Sequence, residues 1–227
     1  MSIVANHKTV VAATANEHKL AEIAQVLSPF GYEVVSRAEA GVPEFEIEEN
    51  GTTYEENSYT KAKAIFDWLG GRAWAVADDS GIDVDALGGA PGVYSARFAG
   101  QDRDAIDFEV ADLSDGQKHR SRQDRANNAK LLRMLEETPE EMRTARFVSV
   151  ITCVRPDREP IVCRGEVEGH VDFAETGTAG FGYDPLFIPE GYDHSFGLFT
   201  SEDKNAISHR GRALAKLAEI IAAEGDR

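Results

Sequence analysis

Two apolar, β-branched runs, residues 147–154 and 161–171, are separated only by a short stretch bounded by Pro156 and Pro160. A connection this short folds the second run back beside the first, so the chain must hold an antiparallel hairpin. The remaining strand-length runs alternate with helical patterns. Residues 9–13 form a buried strand, and Asn16 then caps a helix with Leu20, Ile23, Ala24 and Leu27 at helical spacing. Val34-Val35 is a second strand, and the polar, Gly/Pro-punctuated residues 37–52 are a loop. Thr53 and Glu56 have capping-box spacing and open a helix that runs to about Leu69. A strand over 74–77 ends at Asp78-Asp79-Ser80-Gly81, residues 88–100 are loop, and helices follow near 105–112 and 124–137. A short strand at 186–188 and a final helix from about Ser208, with Leu214, Leu217, Ile220 and Ile221 as its stripe, complete the chain. Strands mixed with helices throughout leave α/β or α+β, and the hairpin makes the sheet mixed.

Four segments carry chemistry. In Thr14-Ala15-Asn16-Glu17-His18-Lys19, a lysine in the first helical turn opposes the helix dipole. It fits if Lys19 and the free amides share an anion. An ordinary capped helix with a solvated lysine has the same sequence. At Asp78-Asp79, strand alternation sends the two carboxylates to opposite faces, so one of them faces the ligand crevice expected at a strand's carboxyl end. Two carboxylates after an apolar strand call for a cation, and Mg²⁺ prefers carboxylates together with substrate phosphates. In Gly177–Pro185 (GTAGFGYDP), glycines allow close backbone approach and an aromatic can stack on a base, although a tight turn with core aromatics reads the same way. Around Ser208, the cations Lys204, His209, Arg210 and Arg212 crowd a helix start and again oppose the dipole. Glu46, Glu48 and Glu49 before Gly51 offer a further metal ligand, or only a solvated loop.

With 24 Lys and Arg against 40 Asp and Glu, the formal charge is −16. Such a chain lacks the broad basic face that nucleic acid or an anionic membrane requires. No apolar run approaches the roughly 20 residues of a membrane helix, and Met1–Lys8 (MSIVANHK) lacks a leader pattern. Cys153 and Cys163 are expected as buried thiols, and the protein as cytoplasmic. Together these features point to a phosphorylated, base-bearing small molecule bound with a metal.

At these segments the chain closely resembles the inosine triphosphate pyrophosphatase family. The resemblance runs from Thr9 to Ala218 and is carried by ADDSGI at 77–82, GAPGVYSARFAG at 89–100, GFGYDP at 180–185 and KNAISHRG at 204–211. It implies one α/β domain spanning residues 1–227, an elongated mixed sheet flanked by helices with two lobes around a central cleft, and a homodimer. It also implies Mg²⁺-dependent hydrolysis of ITP, dITP and XTP to the monophosphate and pyrophosphate, with no nucleic-acid or membrane partner. On this resemblance Thr14, Ala15, Asn16 and Lys19 hold phosphates, and Asp79 is catalytic and binds metal. Ser80 contacts substrate, and Glu48 or Glu49 is a second metal ligand. Glu56, Asn57 and Lys61 match a helix facing the phosphates. Phe181, Gly182, Tyr183, Asp184 and Lys204 match base and phosphate contacts, and His209-Arg210 matches the pair that reads the purine. Ala15 and Ala179 stand where the family usually has glycine, and His18 where bacterial members often have another glycine. A related pyrophosphatase acting on methylated or pyrimidine triphosphates, and a catalytically silent nucleotide sensor, are the alternatives.

Overall fold

The computed structural model describes residues 8–14, 16–101 and 122–225. Ala15, the helix expected over 105–112 and residues 1–7 of the stretch read for a leader lie outside the described residues. In chain order the elements are β1 (Thr9–Ala12), α1 (Glu17–Leu27), β2 (Glu33–Ser36), α2 (Tyr54–Trp68), β3 (Trp74–Val84), α3 (Arg122–Met134), β4 (Thr144–Val154), β5 (Ile161–Val171), β6 (Phe187–Pro189), α4 (Ser201–Ile207) and α5 (His209–Gly225). The strands form one sheet in the order β2-β1-β3-β4-β5-β6. β1 pairs in parallel with both β2 and β3, and β5 pairs antiparallel with β6, so the sheet is mixed and the fold is α/β. Among the described residues no helix is long and apolar enough to cross a membrane.

The chain forms two compact units. The first comprises Met1–Ser80, Ser149–Gly165 and His209–Arg227, and the second Gly81–Val148 and Glu166–Ser208. In the first unit strand alternation sorts the core. Val10, Ala12 and Val76 pack with Ile23 and Leu27 of α1 and with Leu214, Leu217 and Ile221 of α5. The intervening Val11 and Ala75 pack with Ile65 and Leu69 at the end of α2. Cys153 and Cys163 are free, buried thiols in the α1/α5 cluster, and burial pushes the Cys153 thiol up to about 12. The second unit packs Ile82, Val84, Leu131, Leu135, Phe147, Phe187, Phe196 and others into one cluster. Arg143 is buried there without a carboxylate. It donates instead to the carbonyls of Leu135, Val171 and Asp172 at 2.7–2.8 Å, which ties the end of α3 to the end of β5.

The Thr53/Glu56 capping box forms as its spacing requires, with the Thr53 hydroxyl accepting from the Glu56 amide. Thr53→Ala is expected to cost about 1 kcal/mol and to lower the melting temperature by about 2–4 °C, read by thermal unfolding.

Four expectations are corrected. β3 does not end at Asp78; Ile82 and Val84 continue the buried alternation, so both aspartates lie inside the strand. Residues 92–101 are not plain loop but 3₁₀-helical with a break at Arg97. They are pinned by Asn127 of α3, which accepts from the Ala99 amide and donates to the Ser95 carbonyl. Lys204 is not part of the start of the last helix; it lies inside the separate α4, capped by Thr200, and Ser208 in extended conformation divides α4 from α5. Ile220 sits at the margin of the α5 stripe and is partly exposed.

Candidate active site

Asp78 and Asp79 are both nearly buried, and as adjacent strand residues their side chains take different partners. Asp78 meets the cations of α1 and α5. Its Oδ2 lies 2.8 Å from Lys19 Nζ and 2.9 Å from Arg210 Nε, while its Oδ1 accepts from Ser149 Oγ at 2.7 Å. Burial alone would raise the Asp78 pKa, but Lys19 and Arg210 outweigh it and hold the carboxyl far below the usual range. Arg210 is fully buried and also donates from Nη1 to Glu22 at 3.0 Å and from Nη2 to Ser80 Oγ at 3.3 Å. Lys19 Nζ reaches the same Ser80 hydroxyl at 3.1 Å, and burial lowers its pKa despite Asp78.

Asp79 has the opposite character. Its Oδ1 accepts from Lys61 Nζ at 2.6 Å, whereas its Oδ2 is buried with no hydrogen-bond partner among the described residues. Lys61 also pairs with Glu49 at 2.9 Å, so two carboxylates share one ammonium. Burial raises the Asp79 pKa, and the neighbouring Glu49 and Asp78 add to that rise against the pull of Lys61. The two carboxylates in turn hold the proton on Lys61, whose pKa is raised against the effect of burial. Glu48 is exposed and accepts from Asn50, so the structure places Glu49, not Glu48, at this cluster. Among the described residues no group of three or more His, Cys, Asp or Glu is placed so that it alone could hold a metal ion. Two hard carboxylates, one with an unused buried oxygen, fit a cation that completes its shell with substrate oxygens and water, as Mg²⁺ does.

Local folding explains these positions. The Asn16 side chain accepts from the Lys19 amide at 3.2 Å and Thr14 Oγ1 from the Asn16 amide at 3.1 Å, which starts α1 at the site. Asn57, one turn before Lys61 on α2, accepts from the Gly51 amide at 2.9 Å and so anchors the acidic loop that carries Glu49. A Cβ at Gly51 would stand 2.6 Å from that Asn57 oxygen, so the approach needs glycine. Gly165 of β5 likewise leaves no room for a Cβ, because the backbone of His209 and Ala213 packs directly on it. Gly165→Ala is expected to push back the first turn of α5, costing about 1–3 kcal/mol of stability by denaturant unfolding, and to displace Arg210.

The second unit holds a separate cluster. Asp184 Oδ2 accepts from Lys204 Nζ at 2.6 Å and from the Phe181 amide at 2.8 Å. Lys204 Nζ lies 4.8 Å from the centre of the Phe181 ring. Gly180 has φ +73°, and a Cβ there would strike the Asp184 carboxylate. Asn128 donates to the Gly182 carbonyl at 3.1 Å, which fixes the turn. Tyr183 is buried in the core with its hydroxyl donating to the Ser95 carbonyl at 2.8 Å, so of the two aromatics only Phe181 keeps a partly exposed ring.

The structure brings Lys19, Lys61, Asp79, Ser80 and Arg210, all named from the sequence, into one unit, together with supports that sequence reasoning missed. Ser149 and Glu22 carry no local signal. The signal that was present is the buried Asp78 itself, which demands compensating cations.

A model of the Ham1 family matches residues 10–220. The dITP/XTP pyrophosphatase of Desulforamulus reducens is 45% identical over 213 residues, covering 93% of this chain and 94% of the relative. That of Bacillus subtilis is 41% identical over 216 residues, covering 95% and 98%. The structure of the Staphylococcus aureus Ham1 protein aligns with a TM-score of 0.78 at 35% identity, over 96% of this chain and all of that one. The crystal structure described as the nucleoside-triphosphatase / dITP/XTP pyrophosphatase of Mycobacterium abscessus aligns at 0.69 and 40% identity, over 92% and 98%. Motifs, fold and relatives agree along nearly the whole chain, and the protein belongs to the Ham1 family.

Proposed function

We propose that this chain is a nucleoside triphosphate pyrophosphatase that hydrolyses ITP, dITP and XTP to the monophosphate and pyrophosphate with Mg²⁺, acting as a cytoplasmic homodimer of 227-residue domains. The names of the relatives support the hydrolysis of nonstandard purine nucleotides by this chain. The observation that carries the reading is Asp79, whose buried Oδ2 has no partner beside a carboxylate pair sharing one lysine.

Asp79 and Glu49 would hold Mg²⁺, which when bound supplies charge neutralisation and polarises phosphoryl oxygens. Asp79 orients the attacking water and draws its proton. The water oxygen attacks the α-phosphorus, and the bond to the bridging oxygen breaks. Lys19 and Lys61 face the negative charge that develops on the departing pyrophosphate. The Asn16-capped start of α1 sets the positive end of the helix dipole toward the phosphates. Phe181, Gly182, Tyr183, Asp184 and Lys204 are substrate contacts on the strength of the family motif alone.

For the base, Arg210 and His209 are the proposed readers. Arg210 offers only donors, which suit a 6-oxo acceptor and leave a 6-amino group unmatched. The 3.3 Å bond from Nη2 to Ser80, longer than those to Asp78 and Glu22, is the one a base would replace.

The direct test of the metal is pyrophosphate release from ITP with and without chelator. Release with Mg²⁺ and loss of more than about 90% of it in EDTA is expected; undiminished release in EDTA contradicts the assignment of Asp79 and Glu49 as metal ligands.

A further inference from the structure

The start of β3 carries a second feature that the proposed reaction does not use. Phe30 and Tyr32, between α1 and β2, stand beside Trp74, with the Tyr32 and Trp74 rings 4.5 Å apart. The turn after β4 and the end of α5 complete a cavity of about 710 Å³, lined also by Arg155, Asp157, Arg158, Ile221 and Glu224. That volume is in the range of small-molecule sites, and its wall combines stacked aromatics with guanidinium groups.

Arg155 is the unusual member. Its side chain is 4% exposed, and its guanidinium lies 5.5 Å from the Trp74 ring centre. Nη1 pairs with Glu224 and Nη2 donates to the Glu159 carbonyl at 2.9 Å, but Nε is buried with no partner among the described residues. Arg158 is mostly exposed and pairs with the same Glu224 at 2.8 Å. Glu224 thus serves both arginines from the last turn of α5, where the helix dipole disfavours a carboxylate. A ligand oxyanion in the cavity can compete with Glu224 for Nη1 of Arg155 and for Arg158, the charge-assisted contacts a guanidinium offers. Asp157 and Glu224 balance the two arginines, which makes this an exchangeable site rather than a permanently filled one.

We propose that this cavity is a second ligand site that takes a planar aromatic anion, its ring against Tyr32 and Trp74 and its phosphate or carboxylate on Arg155 and Arg158. Trp74 precedes Asp79 by five strand residues, or about 16 Å at roughly 3.3 Å per residue, so the ligand does not compete for the catalytic carboxylate. The chemistry fits a nucleoside monophosphate or an aromatic carboxylic acid, and the proposal stands whether or not the reaction proposed above is right.

The test uses the full chain carrying Trp68→Phe, which leaves Trp74 as its one tryptophan reporter. AMP, 4-hydroxybenzoate and inorganic phosphate are titrated separately, with fluorescence and calorimetry as readouts. Saturable quenching with a Kd below about 1 mM is expected from AMP or 4-hydroxybenzoate and not from phosphate alone, and which of the two binds identifies the source. The exposed Arg158→Ala should weaken binding about tenfold without changing thermal unfolding, and Glu224→Gln should tighten it. No saturable quenching by either aromatic anion overturns the proposal. So does binding that neither substitution alters, since AMP would then be on the catalytic site.

Discussion

Asp79→Asn is expected to lower kcat for ITP by about 10²–10⁴-fold, the span that loss of a positioned general base produces, while substrate still binds and the fold is retained. Asparagine keeps an oxygen for Lys61, so the Lys61 contact survives. What disappears is the charge on Oδ2, the buried atom that no protein donor satisfies. Stability is expected to hold or rise. Burial raises the pKa of Asp79 in the folded protein, so its ionised form costs stability at neutral pH, and a neutral isostere removes that cost. An active site that is strained in this way trades stability for function. Steady-state kinetics and thermal unfolding on the same preparation check both halves. Near-normal turnover sinks the catalytic assignment, and a collapsed melting temperature makes Asp79 a structural residue.

Asp78→Asn is expected to behave in the reverse sense, losing about 3–5 kcal/mol of stability, because Arg210 and Lys19 are left as buried cations short of a counter-charge. The pH dependence gives an independent sign. The folded pKa of Asp78 is depressed below the unfolded value of about 3.9, so its stabilisation is present above that pH and is lost as pH falls below it. The parent protein should therefore lose stability steeply below about pH 4, and the variant should show a shallower slope there. Equal slopes in urea titrations across that range would mean that the Asp78 pair does not stabilise the fold.

The periodic elements were legible in the sequence because their signals are local. The 9–13 and 161–171 strands, the Asn16 and Thr53 caps and the hairpin all rest on residues within a few positions of one another. The true end of β3 was not legible, because Asp78, Asp79 and Gly81 read as a stop. Only cations brought from α1, α2 and α5 make charged residues tolerable inside that strand. For the same reason α4 was missed, since Ser208 reads as one helix start and the Thr200 cap seven residues before α4 closes has no apolar stripe behind it. The choice between Glu48 and Glu49 depended on the Asn57–Gly51 clamp, a contact across a loop that spacing does not encode. Chemistry-bearing residue types were easier to find than their supports, because a buried charge must be compensated somewhere while its partner can come from any element.

The account's central claim is best tested by incubating the purified protein with Mg²⁺ and ITP, XTP, ATP or GTP and measuring pyrophosphate and orthophosphate separately. It predicts pyrophosphate from ITP and XTP, with little product from ATP or GTP. Orthophosphate as the product contradicts the attack at the α-phosphorus, and equal release from ATP contradicts recognition of the base by Arg210.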